Sequence, residues 1–148
     1  MIKSKDIRDA LSDLVKIKAG LNLRVHFNHI LQADEDYCWI QLKPSKRDEG
    51  GDYFQRTIRV DIEVVLKPDK FGEVKHTDLY DIVDALDEAT HPVIKILDRY
   101  ITIIDCVAHI FDDILHYEFL LDFTDYIAQL ETEGDAAEFM QELTLTLT

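Results

Sequence analysis

The chain has 148 residues, of which 47% are hydrophobic and 31% charged, a composition typical of one globular domain that buries its own core. No stretch approaches the roughly 20 apolar residues that cross a bilayer, and the start MIKSKDIRDAL lacks the apolar core of a signal peptide. We therefore expect a soluble protein that is made in the cytosol and has no membrane partner. The formal net charge of −14 argues against sequence-specific nucleic-acid binding, which needs clustered Lys and Arg.

The charge is distributed unevenly along the chain. Residues 1–75 hold 14 of the 16 Lys and Arg together with 13 acids, a net of +1, whereas residues 76–148 hold two basic residues and 17 acids, a net of −15. One interpretation is that the acidic half is simply a solvated surface. A polarised subunit can also meet copies of itself head to tail, as in ring-forming proteins.

The first predicted element is a helix over about residues 5–19. Its apolar residues follow helical spacing, Ser4 is the predicted N-cap and Gly20 stands where a C-terminal cap belongs. Alternating residues then predict a short strand over residues 23–27.

A long hairpin follows. Residues 37–42 (YCWIQL) predict a strand that Pro44 ends, because proline cannot donate a ladder hydrogen bond. Residues 43–53 (KPSKRDEGGDY) predict a charged, mobile loop at its tip. The alternation in RTIRVDIEVVL predicts that residues 56–66 form a half-buried strand that pairs back antiparallel.

The second helix is predicted to begin at Thr77 as N-cap and to bury an apolar stripe over residues 79–89. His91-Pro92 ends it. Four aspartates lie on its other side at a spacing that rotates them around the helix, so they predict a solvated or partner-facing surface and not a metal site. They are Asp78, Asp81, Asp84 and Asp87.

The rest of the domain is rich in strand formers. We expect strands over residues 100–104, 106–111 and 114–123, with a tight Asp112-Asp113 turn before the last of them. In that last strand the odd-numbered apolar residues point to one face. The tail, residues 126–148, predicts a short helix and a final strand that belong to the same domain as residues 1–125.

The predicted fold class is therefore α+β, with two principal helices on one face of a mainly antiparallel sheet and a short C-terminal helix and strand. The other sheet face mixes apolar and charged residues, which suits contact with another subunit.

Catalytic, cofactor and metal sites are not expected. No glycine opens a helix as a phosphate-binding loop requires, and neither Ser12 nor Ser45 lies in a nucleophile turn. Cys106 and His109 would face opposite sides of their strand, so they are not expected to bind one metal ion together. Cys38 and Cys106 are interpreted as buried, reduced thiols.

In its order of segments the chain resembles the tail-terminator (tail-completion) proteins of tailed bacteriophages and of phage-derived contractile particles. The resemblance is carried by SKDIRDALSDLV, VHFNHILQADEDYCWIQLKP, YFQRTIRVDIEVVLKP, LYDIVDALDEAT, DRYITIID, IFDDILHYEFLLDF and AEFMQELTLTLT. It departs from the family at the Asp112-Asp113 turn, where Asp-Gly would be easier, and at the hairpin tip, residues 45–52.

The resemblance implies a structural virion protein, without enzyme activity, at the head-proximal end of the tail. It implies a homo-hexameric ring that caps the tail tube, stops its polymerisation and offers a docking surface to the head–tail connector. The tail tube protein and the sheath protein are its further expected partners. A lumen lined by residues 76–148 would repel DNA phosphates.

Two sets of residues are the candidate contacts of such a ring. Subunit-interface candidates are Tyr53, Phe54, Arg56, Arg59 and Asp61. Candidates for a loop that contacts the tube or a partner are Lys46, Arg47, Asp48 and Glu49. The alternative function is an acidic DNA mimic that inhibits a DNA-binding protein, and it would need no self-association.

Overall fold

The computed structural model describes residues 1–30 and 34–127. Its first helix, α1, spans Ser4–Asp13 and continues as a π-helical turn over Leu14–Lys18. Lys3 is the residue at the N-terminal boundary, and its backbone N–H donates to the Asp6 carboxylate at 2.8 Å, so the prediction of Ser4 as N-cap is wrong by one residue. Gly20 follows the helix with φ +65°, a conformation that glycine adopts without steric cost, as predicted.

Within the described residues, six strands form one sheet in the order β1-β2-β3-β6-β5-β4. The strands are β1 (Arg24–His26), β2 (Tyr37–Gly50), β3 (Tyr53–Val65), β4 (Val93–Ile96), β5 (Arg99–Phe111) and β6 (Ile114–Tyr126). β1 and β2 run parallel, whereas the other four pairings are antiparallel. The broad α+β prediction is confirmed, but the sheet is mixed.

The β2–β3 hairpin is longer than the sequence predicted. β2 continues through Pro44, which pairs with Ile58, and ends only at Gly50, so residues 43–50 are a strand and not a loop. β2 pairs with β1 only at residues 37–39, so one side of the strand is unpaired at Pro44. Proline is tolerated there because its nitrogen, which carries no hydrogen, can face that unpaired side.

The second helix, α2, spans His76–Ala89. Its N-terminal boundary residue is Lys75, so Thr77 lies inside the helix and is not the N-cap. The short edge strand β4 was not predicted, and it pairs with the start of β5. The Asp112-Asp113 turn is present, with φ values of 51° and 59°, which aspartate tolerates better than most residues.

The core lies between the two helices and the sheet face that they cover. The predicted odd-numbered stripe of β6, Leu115 to Phe123, is buried, and so are the alternate residues Ile58, Val60, Ile62 and Val64 of β3. From α2 the core receives Leu79, Ile82, Leu86 and Ala89, while the four predicted surface aspartates are exposed.

The predicted C-terminal helix and strand lie outside the described residues. Within residues 1–30 and 34–127, no helix combines the length and apolarity that crossing a membrane requires.

Candidate assembly surface

The sheet face that points away from the helices is called the outer face here. Because side chains alternate along a strand, the outer face of β3 receives the residues between its buried ones, and β6 contributes its even-numbered residues. On β3 these include Tyr53, Arg59, Asp61 and Glu63. Arg59 is exposed, and it makes no ion pair with another residue of the described ranges.

The five predicted interface residues do not share one face. Tyr53 and Arg59 are exposed on the outer face, and Asp61 is mostly buried there, with 13% of its side chain exposed. Phe54 and Arg56 point to the opposite face, because their positions on β3 are even-numbered. The structure therefore separates Phe54 and Arg56 from the other three candidates, and the assignment of the five residues to a subunit interface stays a prediction.

Arg56 is instead part of a buried polar cluster at the end of the core. Its guanidinium donates to the backbone carbonyl of Ile2 and lies 3.4 Å from Asp125 Oδ2. Asp125, which is 1% exposed, also accepts from the backbone N–H of Ile2 at 2.9 Å and lies 3.6 Å from Arg99 Nη1. This cluster fastens the N-terminus to β6, so Arg56 has a structural role within one chain.

The four residues predicted as a contact loop lie on the distal end of β2. They are exposed and form two local ion pairs, Lys46 with Asp48 at 3.3 Å and Arg47 with Glu49 at 2.8 Å. Lys46, Arg47 and Asp48 pair with β3, and Glu49 lies in the irregularity between Asp48 and Gly50, so the four residues form part of a strand-paired arm. The arm has three strands, since β6 continues along β3 as far as Tyr53.

The two edges of the sheet differ in chemistry. From Ile40 to Gly50, β2 pairs with β3 on one side and with no described strand on the other. This sheet edge carries Lys43, Lys46 and Arg47. At the opposite edge, β4 and α1 border an open groove of about 610 Å³. Its charged lining residues are Asp6, Asp9, Asp13, Lys18 and Lys95, with acids in the majority, and its exposed apolar ones are Ile17, Leu97 and Tyr100.

A cluster of ionisable residues on the outer face was not predicted. Asp61, Glu63 and His116 bring one ligand atom each to within 4.8 Å of one another. Burial raises the pKa of both carboxyl groups, and His116 opposes this rise by favouring their charged forms. Part of this cluster was visible in the sequence, since Asp61 and Glu63 are two residues apart and therefore share one face of a strand. The strand register that places His116 opposite Glu63 cannot be derived from the sequence.

The two cysteines differ in environment. Cys38 is buried, and burial raises the pKa of its thiol to about 12. Cys106 is exposed, so the prediction of two buried thiols is wrong for this residue. Its Sγ lies 3.8 Å from Thr90 Oγ1 at the end of α2, while the ring of His109 stacks on His116 on the outer face. As predicted, Cys106 and His109 do not converge.

Comparison with known proteins identifies the class. A family model described as phage tail terminator protein matches residues 6–133. No curated protein matches the chain. Four chains of solved structures match, and one of them is 18% identical over 88% of this chain and 100% of its own, with a TM-score of 0.41. A likeness of that degree carries no argument.

The family match covers most of the chain, and it places the protein among the structural components of bacteriophage tails. Within that class, the chain belongs to the phage tail terminator family, which confirms the resemblance drawn from the sequence.

Proposed function

We propose that this protein forms a ring that caps the tail tube, stops tail polymerisation and provides the surface on which the head connector docks. The observation that carries the proposal is that, among residues 1–30 and 34–127, both β4 and residues 40–50 of β2 pair with a strand on one side only, and that these two edges differ in their side chains. A head-to-tail ring needs two different surfaces on each protomer, because every copy offers one surface to one neighbour and the other surface to the next.

The β2 arm and the α1–β4 groove have the properties that such a contact requires. The arm offers free backbone donors and acceptors together with Lys43, Lys46 and Arg47. The groove offers the edge of β4 that no described strand covers, apolar lining residues, and Asp9 and Asp13. Lys18 and Lys95 also line it, and Lys18 Nζ donates to the carbonyl of Val93 at 3.2 Å. Strand addition would supply main-chain hydrogen bonds, and the opposite charges would select the register.

The outer face is the second contact surface that we propose. Tyr53 lies in the arm and Arg59 pairs with Lys43 at its base, where both are available to an adjacent protomer or to the tail tube protein. Their exposure on a rigid strand favours recognition without rearrangement. The sheath protein, where one is present, would contact the ring from outside.

Electron microscopy of tails assembled with and without this chain tests the proposed function. Without the chain we expect tail tubes of uncontrolled length that carry no head, and addition of the purified protein to growing tubes is expected to restore a uniform length. Tubes of normal length in its absence would refute termination. Capture of a DNA-binding protein by a single copy, with normal tails, would favour the acidic-mimic alternative.

The Arg59→Glu variant tests the outer face separately. Arg59 makes no described ion pair, so reversal of its charge should leave the fold intact while weakening attachment to tails by about tenfold, the equivalent of 1.4 kcal/mol. Arg8→Glu on the exposed side of α1 is the matched control and should attach normally. Equal attachment of both variants, measured by co-sedimentation with tails, would remove Arg59 from the interface.

A further inference from the structure

Two adjacent strands bring an imidazole and two carboxylates together on the outer face. Asp61 and Glu63 are two residues apart on β3, and the register of β3 with β6 sets His116 opposite Glu63. His116 Nδ1 lies 3.5 Å from Glu63 Oε1 and 3.8 Å from Asp61 Oδ1. The three side chains are 13–22% exposed, so they are largely shielded from solvent but open to a small ion.

These distances are close to those between the ligands of a bound transition metal. With metal–ligand bonds of about 2.0–2.2 Å, neighbouring ligand atoms around a single ion are separated by about 3–3.5 Å. Small side-chain rotations would therefore bring all three atoms into one coordination sphere. The backbone need not move, because β3 is held by β2 on one side and by β6 on the other.

Two further observations favour cation binding here. Asp61 Oδ1 is buried and accepts no hydrogen bond from any described group, which is costly for a carboxylate oxygen. The ring of His109 stacks on that of His116 with centroids 4.8 Å apart and planes 6° from parallel. This contact restricts the plane of the His116 ring, in which Nδ1 faces the two carboxylates.

We propose that Asp61, Glu63 and His116 bind one divalent transition-metal ion, of which Zn²⁺ is the representative. One nitrogen and two oxygen ligands suit Zn²⁺ and similar ions better than Mg²⁺, which prefers an all-oxygen shell and retains its waters. Three protein ligands leave at least one position open, on a face that also carries Arg59. The ion would neutralise the paired carboxylates and cross-link β3 to β6. The proposal does not depend on ring formation.

Calorimetric titration of the metal-free full-length chain with ZnCl₂ tests the site. We expect saturation at one equivalent, no comparable binding of Mg²⁺, and an affinity reduced about tenfold or more in both Glu63→Gln and His116→Gln. His76→Gln is the matched control, because His76 pairs with one carboxylate, that of Asp113 at 2.8 Å. Among the described residues it belongs to no group of three possible metal ligands. Cys106→Ser controls for the exposed thiol. Both control variants should bind Zn²⁺ like the wild type.

Cobalt(II) provides an independent reading of the ligands. The visible spectrum of the Co²⁺-loaded chain should show nitrogen and oxygen coordination without a thiolate charge-transfer band, and it should change in His116→Gln. Circular dichroism verifies that each variant is folded. Absence of saturable Zn²⁺ binding, wild-type affinity in Glu63→Gln or His116→Gln, or loss of binding in Cys106→Ser would each overturn the proposal.

Discussion

Asp125 is the residue on which the end of the core depends most directly. Its buried carboxylate accepts from the backbone N–H of Ile2 and lies near the guanidinium groups of Arg56 and Arg99. Both arginines also lie over the ring of Phe123, at 5.6 Å and 5.4 Å from its centroid. One carboxylate thus joins the N-terminus, β3, β5 and β6.

Asp125→Asn should lower the free energy of unfolding by about 2–4 kcal/mol, because two guanidinium groups lose their shared counter-charge. Urea denaturation measures this difference. The matched control is Asp122→Asn, since Asp122 is exposed and its bonds to Gln55 and Thr57 can be made by an amide oxygen. Asp122→Asn should lower the free energy of unfolding by less than about 1 kcal/mol. Equal losses in the two variants would show that the cluster contributes no more than a surface hydrogen bond.

The two thiols are expected to react at very different rates. Burial keeps Cys38 protonated, with a pKa of about 12, so its reactive thiolate is scarce at neutral pH, whereas Cys106 is exposed. Iodoacetamide at pH 8 should therefore modify Cys106 rapidly and Cys38 only after unfolding, as peptide mass spectrometry would report. Because unfolding lowers the pKa of Cys38 towards its usual value, alkaline pH favours the unfolded chain and should accelerate Cys38 modification. Rapid labelling of Cys38 in urea-free buffer would contradict its burial.

At the scale of the elements, a hydrogen-bonded contact joins the C-terminal end of α2 to the inner face of the sheet. Tyr117, on the inner face of β6, is fully buried, and its hydroxyl donates to Asp87 Oδ1 at 2.6 Å and lies 3.0 Å from Thr90 Oγ1. Burial and the bond to Asp87 both raise the pKa of this hydroxyl. The contact fixes the C-terminal end of α2 over the sheet.

Tyr117→Phe should destabilise the protein by about 1–2 kcal/mol, because removal of the hydroxyl leaves Thr90 and Asp87 without this partner while the ring still fills the core. Thermal unfolding of the variant measures the loss. Tyr100→Phe serves as control, since Tyr100 is exposed, and its melting temperature should equal that of the wild type. A neutral Tyr117→Phe substitution would mean that water replaces the hydroxyl at no cost.

The sequence predicted the strands well where hydrophobic periodicity is strong. It predicted them poorly where the extent of a strand depends on its pairing with another strand. Alternation in β3 and β6 identified their buried faces correctly, since burial follows directly from side-chain parity. The extension of β2 through Pro44 was missed, because proline is excluded only where its strand is paired on both sides. β4 was missed because four residues are too short for a pattern.

The candidate site was predicted less completely, for a related reason. Parity alone would have separated Phe54 and Arg56 from Tyr53 and Arg59, and grouping all four ignored the alternation of β3. The ion pair of Arg56 with Asp125 joins residues 69 positions apart, and no local pattern reveals it. The same holds for His116, which reaches Asp61 and Glu63 only through the pairing of β3 with β6.

At the scale of the whole molecule, the sequence shows a charge asymmetry between its halves, and the fold arranges charge differently. Asp9 and Asp13 of the groove belong to the nearly neutral first half, and so do Lys43, Lys46 and Arg47 of the arm, two of which pair with Asp48 and Glu49. Folding therefore places opposite charges from one half of the chain at opposite edges of the sheet. For the proposed ring this matters more than the net charge, because only surfaces on different sides of a subunit can meet in a head-to-tail contact.

The head-to-tail model makes a prediction that a symmetric contact cannot satisfy. An arm variant, Lys46→Glu with Arg47→Glu, and a groove variant, Asp9→Lys with Asp13→Lys, should each fail to attach to tails, because like charges then meet at every contact. All four positions are exposed, so both variants should fold, and Asp6 is left unchanged because it holds the start of α1. An equal mixture should recover attachment, since each reversed arm then meets a reversed groove and each native arm a native groove.

Alternation of the two variants closes a ring only when the number of subunits is even, as in a hexamer. A chain that carries all four substitutions should also attach, because its reversed arm and reversed groove match each other. Co-sedimentation with tails, followed by electron microscopy of their ends, measures both recoveries. If arm meets arm across a two-fold axis, the groove substitutions lie outside the contact, so the groove variant would attach by itself and the fourfold variant would behave like the arm variant. That outcome would leave the tail terminator family intact and exclude this geometry for its ring.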